Sequence, residues 1–173
     1  MLIRHVHLCL VLLLLMPGMA IAADISAPKR LELYNIHNHE TIDVVFWENG
    51  AFVPEALEKL NYILRDRRNE EVTQMDPQLF LLVHRIYKKV GGVGPIHIIS
   101  GYRSKESNDK MKSEGRHVAK KSQHSLGKAM DIQIQNVSPK VVRGVALGMK
   151  AGGVGYYSAD GFVHIDTGRP RSW

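Results

Sequence analysis

One cysteine stands in the 173 residues, and it is Cys9, inside an apolar run near the N-terminus. An intramolecular disulfide is therefore excluded. That matters because the run looks like an export signal. Arg4 is followed by the unbroken apolar stretch Leu8–Met16, then by Pro17-Gly18, and Ala20-Ile21-Ala22 places small residues around a cleavage point. The stretch is about half of the ~20 apolar residues that a spanning helix needs. Residues 1–22 thus read as a secretory signal peptide, with no stable membrane span left after cleavage. Cys9 lacks a preceding small residue, so it does not read as a lipidation site, and without twin arginines general secretion is the route expected. Exported domains often lean on disulfides; this one must stand on a hydrophobic core, with a bound metal as its remaining aid. The length suits one such core and not two. The composition, 45% apolar and 23% charged, excludes a wholly disordered, collagenous or coiled-coil chain.

Residues 23–30 are polar and carry Pro28, which suggests a leader, and residues 31–173 read as one domain. Arg30–Asn35 and Thr41–Trp47 form a predicted hairpin, left through Glu48-Asn49-Gly50. Pro54 opens a helix carrying Leu57, Leu60, Ile63 and Leu64 on one stripe. Asp76-Pro77 gives an N-cap and a first-turn proline to a second helix that runs to Gly91-Gly92. A short strand at Pro95–Ser100, a helix capped by Ser104, a strand at Ala129–Gln135 and a helix from Ser138-Pro139 follow. Two last strands, Val154–Tyr157 and Phe162–Thr167, flank the turn Ser158–Gly161. The expected class is α+β, with the N-terminal hairpin and helices packed on a small, mainly antiparallel sheet.

Two segments carry chemistry. In Ser122–Asp131, Gly127 permits a tight turn after His124, and the chain then enters a strand on which Asp131 and the small Ala129 share a face. In Phe162–Gly168, His164 and Asp166 share a face. If the two strands are neighbours, His124, Asp131 and His164 converge. Two imidazoles and a carboxylate suit Zn²⁺ with a fourth position open, as hydrolysis of an amide or ester requires. The competing reading is a plain hydrogen-bonded His–Asp pair. A net charge of +6, less Arg4 after cleavage, favours an anionic partner, and export argues against nucleic acid.

The motif Ser122-Gln123-His124-Ser125-Leu126-Gly127-Lys128-Ala129-Met130-Asp131 resembles the Ser-x-His-x-x-Gly-x-Ala-x-Asp signature of the zinc D-alanyl-D-alanine peptidase and hedgehog-like superfamily. Ser100-Gly101-Tyr102-Arg103-Ser104 is similar to its upstream Ser-Gly-Tyr-Arg element. Leu60–Asp66, Gly153-Val154-Gly155-Tyr156-Tyr157 and His164-Ile165-Asp166-Thr167-Gly168 resemble the MepK (YcbK-like) murein endopeptidases in particular. The resemblance implies a hedgehog/D-Ala-D-Ala peptidase-like fold and a monomeric periplasmic enzyme. It implies Zn²⁺ on His124, Asp131 and His164, and peptidoglycan cross-linked stem peptides as substrate. It also implies that Arg103 binds a substrate carboxylate or the developing oxyanion. Related D,D-peptidases carry an acid three residues before the last zinc histidine; here that place is Gly161. Asp166 is then the first candidate for the general base, or else a carboxylate that orients a zinc-bound imidazole; Asp160 is a poorer one. A D-alanyl-D-alanine carboxypeptidase and a non-catalytic wall-binding module stay open as alternatives. His37, His39, His84, His97 and His117 read as histidines without a role at the metal. Of Tyr156 and Tyr157, one is expected to pack inward and the other to face the cleft.

Overall fold

The computed structural model describes residues 27–115, 119 and 121–173. The expected signal peptide and His117 lie outside the described residues. Among the described residues eight strands form one sheet: β1 (Lys29–Asn35), β2 (Thr41–Glu48), β3 (Ala51–Phe52), β4 (Ile96–Ser100), β5 (Ala129–Ile134), β6 (Gly153–Tyr157), β7 (Phe162–Asp166) and β8 (Arg171–Ser172). Their order is β3-β2-β1-β4-β5-β7-β6-β8. Neighbours are antiparallel except β1 with β4 and β6 with β8. The predicted hairpin is thus not a layer laid on a small sheet. It extends the sheet, because β1 pairs in parallel with β4. Asn49 and Gly50 both have positive φ, so the β2–β3 loop is a two-residue hairpin that adds Ala51–Phe52.

Four α-helices lie among the described residues: α1 (Pro54–Ile63), α2 (Pro77–Lys89), α3 (Lys105–Ser113) and α4 (Pro139–Met149). Asp76 caps α2 by accepting from Gln78 N at 3.0 Å, and Ser138 caps α4 through Lys140 N at 3.3 Å. Leu60 and Ile63 of α1, Leu79, Phe80, Val83 and Ile86 of α2, and Val142 and Ala146 of α4 join one core with Leu31, Leu33, Ile98, Met130, Ile132, Val163 and Ile165 of the sheet. Among the described residues no helix is long and apolar enough to cross a membrane.

Strand parity fixes what the other face of the sheet carries. Met130 pairs with Ile165, and Ile132 with Val163, on the core side. Asp131 pairs with His164, and Ala129 with Asp166, on the opposite side. The β5–β7 adjacency on which the convergence depends is therefore present.

Candidate metal centre

His124 sits in a single 3-10 turn, His124–Leu126, that delivers the chain into β5. Gly127 ends that turn with φ of 66°, and a Cβ there would stand 2.7 Å from the Gln74 carbonyl oxygen. That position accepts only glycine, which ties the turn to the loop before α2 through the Asp76 N to Gly127 O hydrogen bond of 2.8 Å. His124, Asp131 and His164 are all buried. Each offers one ligand atom, and these atoms lie within 4.8 Å of one another, the one such group among the described residues.

The outer partners of the two rings dictate their tautomers. His124 Nδ1 lies 2.7 Å from the Gly101 carbonyl oxygen, which can only accept, so Nδ1 bears hydrogen. His164 Nε2 lies 2.9 Å from Asp166 Oδ2, so it too bears hydrogen. The inward nitrogens of the neutral rings, His124 Nε2 and His164 Nδ1, are then bare lone pairs 3.1 Å apart. Asp131 Oδ1 stands 3.3 Å from the first and 2.8 Å from the second. Ligands of a tetrahedral zinc ion, at bonds of about 2.05 Å, would stand about 3.3 Å apart. Three lone pairs meeting at nearly those separations fit a cation. Burial lowers the His164 pKa, but hydrogen bonds to Asp131 and Asp166 outweigh it and raise it. Burial likewise pushes the Asp131 carboxyl up, yet the two imidazoles hold it well below the usual carboxylate range.

The three residues floor a cavity of about 380 Å³ that Arg103, Tyr157 and Trp173 also line. Arg103 comes from the turn after β4 and is 8% exposed. Its Nε has no hydrogen-bond partner, and among the described residues no carboxylate forms an ion pair with it. Burial pulls its guanidinium below the usual arginine value, with Asp131 opposing. A buried cation in that state is costly unless an anion reaches it. Lys121 adds positive charge to the cavity wall, and Arg171 lines it while paired with Asp166.

Asp166 is not among the lining residues. It is fully buried behind His164, and its two oxygens accept from His164 Nε2 (2.9 Å), Arg171 Nη1 (3.0 Å) and Nη2 (2.7 Å), Gly153 N (3.0 Å) and Gly168 N (2.8 Å). Burial works to raise its pKa, but these donors lower it well below the usual carboxylate range. Such a carboxylate has no approach to substrate water, so the geometry speaks against the first of the two roles expected for it and fits the second, orienting the imidazole. Asp160 is an exposed turn residue, and Gly161 closes that turn with φ of 75°. Ser122 Oγ accepts from His124 N at 3.3 Å and so helps start the turn.

The remaining described histidines stand elsewhere. His37 Nε2 meets the Ile99 carbonyl at 2.8 Å, His39 Nδ1 meets Tyr34 Oη at 2.6 Å, His97 meets Gln135 at 2.8 Å, and His84 lies edge-on to Phe46. Sequence reasoning missed Arg171, which reaches the cavity from β8, and Trp173, which reaches it from the residue after β8. Their alternate spacing was the only signal available, and nothing in it tells which strand they join.

Residues 23–173 match the profile of a family described as peptidoglycan L,D-endopeptidase MepK. The chain is 42% identical over 146 residues to the Escherichia coli protein named peptidoglycan L,D-endopeptidase MepK, covering 84% of this chain and 80% of that one. It is 38% identical over 157 residues to a Haemophilus influenzae protein named a probable enzyme of the same kind, covering 89% and 84%. The motifs, the converging His-Asp-His side chains and this similarity over nearly the whole length agree: the chain belongs to the MepK family of peptidoglycan L,D-endopeptidases.

Proposed function

We propose that this protein is a zinc-dependent murein endopeptidase that hydrolyses peptide cross-links of peptidoglycan outside the cytoplasm, in the periplasm. The observation that carries the reading is the trio of lone pairs on His124 Nε2, Asp131 Oδ1 and His164 Nδ1 at the floor of an open cavity. These three residues would hold the ion. Zinc bound there supplies Lewis-acid chemistry, polarising the scissile carbonyl and lowering the pKa of water towards about 7.

The chain's own residues do the rest. The Gly101 carbonyl and Asp166 fix both rings so that their inward nitrogens stay unprotonated, which raises ligand basicity and holds orientation. Arg103 offers a planar set of donors to the carboxylate of a stem peptide or to the oxygen that gains charge. Lys121 and Arg103 favour the entry of an anionic peptide. The relatives' name specifies an L,D bond, so the diaminopimelate–diaminopimelate cross-link is the favoured substrate and the D-alanine–diaminopimelate one the competitor.

Purified cross-linked muropeptides incubated with zinc-loaded protein and read by mass spectrometry test this. Dimers are expected to become monomers, and a chelator or His124→Ala is expected to stop the reaction. Intact dimers with wild-type protein contradict the reading, and release of free D-alanine alone assigns a carboxypeptidase instead.

A further inference from the structure

The tyrosine pair at the end of β6 divides its labour by parity. Tyr156 pairs with Val163 on the core face and lies under the Arg143 guanidinium. Tyr157 pairs with Phe162, while Gly155, two residues back on the same face, pairs with His164. Tyr157 therefore stands on the face of the metal centre, stacks on Phe162 with ring centroids 4.5 Å apart, and lines the cavity beside Arg103.

Trp173 aims the hydroxyl. Its backbone continues β8 along β6, with Tyr156 N donating to its carbonyl at 3.0 Å. Its indole occupies the space over Gly155, where a Cβ would stand 2.7 Å from the ring, and lies 5.1 Å from the His164 ring. A side chain at position 155 would push the indole off. Trp173 Nε1 donates to Tyr157 Oη at 3.0 Å. An indole N–H can only donate, so the Tyr157 oxygen is the acceptor and its own proton is free to point elsewhere. Among the described residues no acceptor takes that proton. Accepting one hydrogen bond strengthens the one a hydroxyl donates.

Alongside the cationic donors of Arg103, Tyr157 offers the cavity an uncharged hydroxyl. Asp131 is the one carboxylate among the described lining residues, and it faces both imidazoles. We propose that Tyr157 is a catalytic residue whose hydroxyl donates a hydrogen bond to the scissile carbonyl oxygen as that oxygen gains negative charge, and that Trp173 is the residue that positions it. The proposal rests on the peptidase reading above. Tyr157 loses no proton in the step: water supplies hydroxide to the carbonyl carbon and hydrogen to the departing amine, the C–N bond breaks, and the tyrosine hydrogen bond relaxes as the carboxylate product forms.

The test compares wild type, Tyr157→Phe, Trp173→Phe and the double variant, all zinc-loaded, on a purified cross-linked muropeptide dimer, with zinc content and thermal melting recorded for each. Phenylalanine keeps the stack on Phe162. Loss of one oxyanion donor predicts that Tyr157→Phe lowers kcat about 100-fold, with KM, zinc content and melting nearly unchanged. Trp173→Phe is expected to lower kcat by a smaller factor. The double variant is expected to be no slower than Tyr157→Phe alone, since Trp173 acts only through the Tyr157 oxygen. An active wild type with an equally active Tyr157→Phe overturns the role, as does a double variant in which the two losses multiply. A wild type that leaves the dimer intact overturns the peptidase reading and this role with it.

Discussion

Among the described residues two aspartates have no exposed surface, Asp66 and Asp166, and each is ringed by donors. Asp66 accepts from Ser104 N and Oγ at 2.9 Å and from Arg68 N at 3.1 Å. Beside it, Arg65 grips Glu40 with two bonds of 2.8 Å and also reaches Glu70. That cluster closes on itself and staples the loop after α1 to the start of α3. Asp166 is as fully satisfied, yet one of its donors is His164, whose other nitrogen points into the cavity. Buried charge is common to both regions, so burial alone does not mark function. The difference is the open end of the network, where His164 Nδ1 meets Asp131 and His124 at the cavity floor.

That comparison sets the expected outcomes. Asp131→Ala removes a lone pair from the open end, so hydrolysis of cross-linked muropeptides should fall to background while circular dichroism shows the fold retained. Arg103→Ala leaves the three proposed ligands in place and removes a buried guanidinium that has no ion pair among the described residues; kcat/KM should fall about 100-fold with zinc content unchanged. Asp166→Asn breaks the orienting bond behind His164, and chelator competition should read a zinc affinity weaker by about 10–100-fold.

Asp66→Asn should leave zinc affinity alone and cost about 1–3 kcal/mol of stability by leaving buried donors poorly matched. Its pH dependence follows from the sign of the shift. Burial raises the Asp66 pKa, but hydrogen bonds from Ser107, Arg68 and Ser104 outweigh it and leave it lowered. A carboxylate whose folded pKa lies below the unfolded one stabilises the protein above the unfolded value, about 3.9, and loses that contribution as pH falls through the folded one. The gap between wild type and Asp66→Asn in urea unfolding should therefore be full at pH 6 and shrink below about pH 4. A gap that does not change with pH would erase the electrostatic half of the comparison.

Local patterns made much of this legible in the sequence. Apolar spacing gave α1 and α2, and Asp76-Pro77 and Ser138-Pro139 gave the starts of α2 and α4. Period-two alternation put His164 and Asp166 on one face without saying which would line a cavity. What stayed hidden was set by pairing across the chain. No local signal tells that β1 lies beside β4, so the hairpin looked like a separate layer. The β5–β7 contact was a condition in the sequence and is a register in the structure. The choice between base and support at Asp166 turns on Arg171 returning from β8, and the choice between Tyr156 and Tyr157 turns on which of them shares a face with Gly155.

The central claim is that three lone pairs hold one divalent ion. Titration of chelator-treated protein with Zn²⁺, followed by calorimetry, tests it most directly. The account predicts one tight site per chain in wild type, lost in His164→Ala and intact in Asp66→Asn. A wild type that takes up no zinc, or a His164→Ala variant that binds it as tightly, would contradict it.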